Sequence, residues 1–296
     1  MKWQGRREST NVDDQRGGGG SGGFGGFGGG LPGGLFSRGG LIVVAIVVII
    51  GWATGKNPLT LLSQLSNDNS SYTTVQSDSD YQPSPEEEEL ASFTKVVLAD
   101  TEDVWHELME NYREPTLVLF TGQVQSGCGT ASASSGPFYC SEDEKLYIDL
   151  SFYKELKNQL NAPGDFAEAY VIAHEVGHHV QHLLGIMEKV HKMRSSMSEE
   201  KYNKLSVKLE LQADFLAGVW ANHANEMKNI LEPGDIDEAL NAASAVGDDR
   251  LQKQFQGVVV PDSFTHGTSE QRMYWFKRGF ETGDPEKGDT FSEIQN

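Results

Sequence analysis

Residues 174–178 read His174-Glu175-Val176-Gly177-His178, two imidazoles four positions apart with a carboxylate between them. On a helix that spacing puts both rings on one face about one turn apart, where they can share one Zn²⁺ while Glu175 holds an attacking water. Such a site needs a third protein donor. His179 points about 100° away from His178, and His182 lies two turns from His174, roughly 12 Å along the axis. Both therefore read as surface histidines.

A better donor is Glu210, in the run from Val207 to Gly218, with Asp214 on the same helical face. Ala213, Ala217, Gly218 and Ala221 are small and would let this second helix approach the first. Two carboxylates at that spacing destabilise a helix unless a cation compensates. A divalent ion supplies that charge, and Asp214 would accept a hydrogen bond from the outer N–H of a ligating histidine. Zinc held by two imidazoles and a carboxylate keeps a position for water, lowers its pKa toward about 7 and polarises a scissile carbonyl. Glu175 would take the water's proton and pass it to the leaving amine. Charge developing on the carbonyl oxygen needs a further donor, and the segment Asp262 to Arg272 offers His266 and Arg272. Thr268 and Gln271 form a capping box, so His266 precedes a helix and Arg272 lies in its first turn. His266 reads as an oxyanion donor or a structural residue; Arg272 reads as the partner of a carboxylate.

Together, H-E-V-G-H, the following E-L-Q-A-D, an upstream C-G-x-A-S…G-P-F-Y-C and a downstream H-G-T-S-x-Q-R resemble the bacterial neutral zinc metallopeptidases that carry one N-terminal membrane anchor. The resemblance runs from Met1-Lys2-Trp3-Gln4-Gly5-Arg6 to about Gly283. It implies a zincin-like fold, with His174, His178 and Glu210 as zinc ligands and Glu175 as general base. Substrates stay open.

The elements that must position these groups are legible in outline. Phe166, Tyr170, Ala173, Gly177, Val180 and Leu184 recur every three or four positions between Asp165 as N-cap and Gly185 as C-cap, which predicts a buried helix with its histidines bordering a cleft. Leu146 to Phe152 alternates strictly and predicts a half-buried strand, an edge on which an extended peptide would pair. Thr116 to Thr121 reads as another strand, Asp235 to Gln254 and Thr268 to Thr282 as helices, and Trp275 and Phe276 as core. The fold class is α+β, mostly helical with a small sheet.

Cys128 and Cys140 are the only cysteines. A disulfide, two free thiols or a metal pair are the alternatives, and the spacing fits no common zinc pattern. Outside the cytoplasm the disulfide is favoured.

Residues 39–55 are uncharged, with Leu41 to Trp52 almost continuously apolar, the lower limit for a spanning helix. Lys2, Arg6, Arg7, Arg16 and Arg38 precede it and favour a cytoplasmic N-terminus in a single-pass inner-membrane protein. Before it, 15 glycines in the 24 residues from Gly17 to Gly40 read as disordered. The expected organisation is a Gly-rich cytoplasmic leader over 1–38, a transmembrane helix over 39–55, a polar acidic linker over 56–90 and a metallopeptidase domain over 91–296. That domain carries 18 basic and 33 acidic residues, a net of −15, within a chain of net −19, which argues against nucleic acid as a partner. The expected function is hydrolysis of peptide bonds in a protein or peptide outside the cytoplasm. The alternatives are a noncatalytic, zinc-stabilised domain that binds envelope proteins and a zinc amidase acting on a nonprotein envelope substrate. The sequence leaves the oligomeric state undefined.

Overall fold

The computed structural model describes residues 1–17 and 81–293. The expected transmembrane helix, most of the Gly-rich leader and most of the linker lie outside the described residues. Among the described residues, no helix is long and apolar enough to cross a membrane.

The architecture is mostly helical α+β. Four strands form one sheet in the order β1 (Val12–Asp14), β2 (Thr116–Phe120), β6 (Lys145–Asp149), β5 (Phe138–Cys140). The first three run parallel, and β5 is antiparallel to β6 at one edge. A separate hairpin joins β3 (Gln123–Ser126) to β4 (Gly129–Ser132). A Cys128–Cys140 disulfide ties the turn of that hairpin to β5.

The alternating run predicted as a half-buried edge is instead an inner strand buried on both faces. Its polar positions find protein partners rather than water: Tyr147 donates to Asp143 at 2.6 Å, and Asp149 accepts from the Gly122 and Ser151 N–H groups at 2.8 and 2.9 Å. Alternation records side-chain polarity and cannot tell a solvated face from a satisfied one. The strand also stops at Asp149, and Ser151–Asn158 forms helix α2.

Helix α1 (Pro85–Leu108) begins inside the predicted linker. Ser84 accepts the Glu87 N–H at 3.2 Å, Pro85 takes the first turn, and Glu86, Glu87 and Glu88 complement the helix dipole there. The acidic run is therefore a helix start rather than a tether. The leader reading needs the same correction over residues 1–17, which fold onto the domain. Strand β1 pairs with β2, Trp3 meets Phe93 edge to face with centroids 5.5 Å apart, and the Met1 ammonium lies 2.6 Å from Asp165.

The core is built on α3 (Asp165–Leu183), α5 (Glu199–Lys228) and α8 (Ser269–Thr282). Between α3 and α5 lies helix α4 (Ile186–Met193). Asp165 is the first residue of α3 rather than its cap, and Gly185 follows it in the left-handed region at φ 68°. Three glycines allow the close packing. A Cβ on Gly177 would sit 3.0 Å from the Ala213 carbonyl oxygen, and one on Gly218 or Gly279 would strike the backbone of the facing helix. Trp275 and Phe276 are buried as predicted, and Phe166 stacks on Trp220. The predicted helix from Asp235 to Gln254 is two, α6 (Asp235–Ala245) and α7 (Asp248–Gln256). They break at Gly247, where Ser269 packs so closely that no side chain fits.

Candidate metal centre

His174, Glu175 and His178 project from the middle of α3, and Glu210 and Asp214 from α5, which the contact of Gly177 with Ala213 brings alongside. His174 Nε2 lies 3.2 Å from one Glu210 oxygen and His178 Nε2 lies 3.4 Å from the other. Those separations match the roughly 3.3 Å edge of a tetrahedron with ligand bonds of about 2 Å. Two nitrogens and one carboxylate within 4.8 Å of one another form a donor set suited to Zn²⁺.

The other face of each ring is engaged. His174 Nδ1 is 2.9 Å from Asp214, and His178 Nδ1 is 2.9 Å from the Gln181 side-chain oxygen. Gln181 donates its amide to the Leu209 carbonyl at 2.7 Å and to Gln212 at 3.0 Å, which leaves that oxygen to accept. Both histidines therefore carry the outer proton on Nδ1, and Nε2, which faces Glu210, is the nitrogen that would bind a metal.

Asp214 is wholly buried and fully partnered. It accepts from Tyr170 Oη and from Arg272 Nε and Nη2, the latter two at 2.8 and 3.0 Å, besides His174. Burial raises its carboxyl, but the Arg272 guanidinium and His174 outweigh that and hold it below its ordinary value. For His174, burial disfavours the charged ring, whereas Asp214 and Glu210 favour it and push its pKa up to about 9. Burial likewise opposes charge on Glu210, yet His178 and His174 hold it well below the usual carboxylate range. The pocket thus carries an excess of negative charge that a divalent cation neutralises. Glu175 is also buried, and its carboxylate accepts no hydrogen bond from the described residues.

His266 stands just ahead of α8, whose start is the capping box of Thr268 with Gln271. Asp248 shapes the loop before it, accepting the N–H groups of Thr265, His266 and Gly267 at 2.8, 2.6 and 3.0 Å and lying 3.2 Å from His266 Nδ1. The ring is half exposed. Partial burial lowers its pKa, but Asp248 and the charge of Glu210 prevail and raise it.

His179 is not a surface residue. It is fully buried, 3.0 Å from Tyr139 Oη and 2.6 Å from the Arg113 carbonyl, and burial pushes its pKa down to about 4. It braces edge strand β5 against α3. His182 is a quarter exposed, 3.6 Å from Glu144. Sequence reasoning also passed over Gln181, Tyr170 and Asp248. Gln181 is three residues after His178 and Tyr170 four before His174, so helical spacing alone would have placed each beside a ligand. Asp248 had no local signal.

An apolar groove of about 610 Å³, lined by Trp105, Val180, Leu184, Leu205 and Leu216 among others, lies on the opposite faces of α3 and α5 from the candidate metal donors.

The chain is 50% identical over 297 aligned positions to the uncharacterized protein YpfJ of Escherichia coli K12, covering 99% of each. It is 46% identical over 199 positions to the uncharacterized protein Rv2575 of Mycobacterium tuberculosis H37Rv, covering 64% of this chain and 66% of that one. No solved structure matches it. The family model described as "Putative neutral zinc metallopeptidase" matches residues 1–291. With that match over nearly the whole chain, and a buried donor set suited to zinc, the protein belongs to the neutral zinc metallopeptidase family.

Proposed function

We propose that the protein is a zinc-dependent peptidase with a zincin-like active site, acting on a protein or peptide. The observation that carries this reading is the convergence of His174, His178 and Glu210 with a buried, unengaged Glu175 on the same helix. When bound there, Zn²⁺ supplies Lewis acidity toward a carbonyl and makes water acidic enough to deprotonate near neutral pH. Glu175 receives the proton from the attacking water and delivers it to the leaving amine. His266, oriented by Asp248, donates to the oxygen on which negative charge develops. Asp214 and Gln181 hold the two ligating rings in the tautomer that binds metal.

The extended substrate pairs along β5, the sheet edge that His179 braces against α3. The disulfide supports an oxidising compartment. The acidity of the chain disfavours nucleic acid as a partner.

The test is hydrolysis of a mixed unfolded-protein substrate by the zinc-loaded protein, with Glu175→Gln beside it. A peptidase loses turnover by at least about 10²-fold in the variant while retaining its metal. Equal behaviour of the two with zinc bound would leave the noncatalytic binding domain as the better reading. Cleavage of a nonprotein amide in place of the polypeptide would favour the amidase.

A further inference from the structure

We infer that the N-terminal residues 1–17 and the metal-binding domain lie in the same compartment, so that the apolar segment 39–55 does not carry the chain across a membrane in a single pass. This holds whether or not the site is a peptidase.

The two parts are one folded body. Strand β1 extends the parallel sheet, with Val12, Asp13 and Asp14 opposite Leu117, Val118 and Leu119. Around it the Leu117 N–H donates to the Asn11 carbonyl at 2.9 Å and the Gln15 N–H to the Leu119 carbonyl at 2.8 Å. Ahead of it, the Lys2 N–H donates to the Ile230 carbonyl at 2.8 Å and the Met1 side chain is buried in the main core.

Electrostatics reinforces the association. Glu102 on α1 is only 2% exposed. Its hydrogen-bond partners are Arg7 at 3.0 Å, Ser9 Oγ and Asn11 Nδ2 at 2.9 Å, all from the N-terminal segment. Asp100, equally buried, pairs with Arg6 as well as with Lys228 at 2.9 Å. Withdrawing residues 1–17 would remove every side-chain partner of Glu102 together with the ladder of β1 on β2, leaving the edge of β2 unpaired and the core beneath Met1 uncovered.

The chain also leaves and re-enters the body at one place. Arg16 lies 3.0 Å from Glu88 and Gly17 abuts Tyr81, so the two described residues that flank 18–80 lie together beside the start of α1. One crossing would set about 30 Å of hydrocarbon between Arg7 and Glu102. A return crossing needs a second apolar run of about 17–25 residues. The remainder of 18–80 supplies none, being Gly-rich on one side of 39–55 and polar on the other.

The test places single cysteines at two exposed positions of the full-length protein, Thr10→Cys and Lys277→Cys. Each is probed with a membrane-impermeant maleimide, under nonreducing conditions, in sealed right-side-out and inside-out vesicles. We expect the two positions to behave alike, labelled in the same orientation and protected together in the other. Labelling in opposite orientations would overturn the inference. A second measurement does not depend on the membrane: protease cleavage within residues 18–80 of the purified protein, followed by size-exclusion chromatography. The fragment bearing residues 1–17 should co-elute with the domain, and its separate elution would equally overturn the inference.

Discussion

At the residue scale, two helices supply the candidate metal donors, and the groups behind those donors would decide how well they hold an ion. Gln181 is fully buried and spends its whole amide on orienting His178 and bracing α5. Gln181→Met keeps the volume and removes the acceptor. It should weaken zinc binding by about 10–100-fold in competition with a chromophoric chelator; unchanged affinity would show that His178 needs no support. Asp214→Asn should weaken zinc binding at least as much, because it also strips the buried Arg272 of its counter-charge. Glu210→Ala leaves two protein ligands, and unchanged metal stoichiometry at low zinc would remove Glu210 from the site.

At the element scale, the site exists because helices approach more closely than ordinary side chains permit. The facing Gly218 and Gly279 set α5 against α8, the helix that delivers Arg272 to Asp214. Gly218→Ala should cost about 1–3 kcal/mol, read as a lower urea midpoint with unchanged m-value. A wild-type midpoint would mean that the two helices shift apart freely. The disulfide between the β3–β4 turn and β5 closes a short loop, and its reduction should lower stability by about 2–3 kcal/mol. Two free thiols in protein isolated from its native compartment under alkylating conditions would reject the pairing there.

At the scale of the whole molecule, a chain of net charge −19 must tolerate carboxylates crowded against one another. Glu168 shows the cost: burial, reinforced by Asp165 and Glu238, raises its pKa from 4.5 to about 8. The folded state then keeps a proton that the unfolded chain releases above about pH 4.5, so the contribution of Glu168 to stability is full below that pH and is lost as pH rises toward about 8. Glu168→Gln should accordingly raise Tm at pH 8 and leave it nearly unchanged at pH 4, and an equal gain at both would rule out titration as the cause.

Local spacing in the sequence determined the helix that carries His174 and His178 on one face, the shared face of Glu210 and Asp214, and the capping box ahead of Arg272, because the 3.6-residue period and short side-chain reach are properties of a single segment. Tertiary structure alone decided the rest. Whether Tyr147 and Asp149 meet water or protein depends on the neighbours of β6, and whether His179 lies inside depends on Tyr139 and Arg113 arriving from other elements. Asp248 reaches His266 from the first residue of α7, just after the break at Gly247. Residues 1–17 look like the start of a Gly-rich tail until Glu102, about ninety positions later, is seen to need Arg7, Ser9 and Asn11. A buried charge is matched through space, and no periodicity along the chain records where its partner comes from.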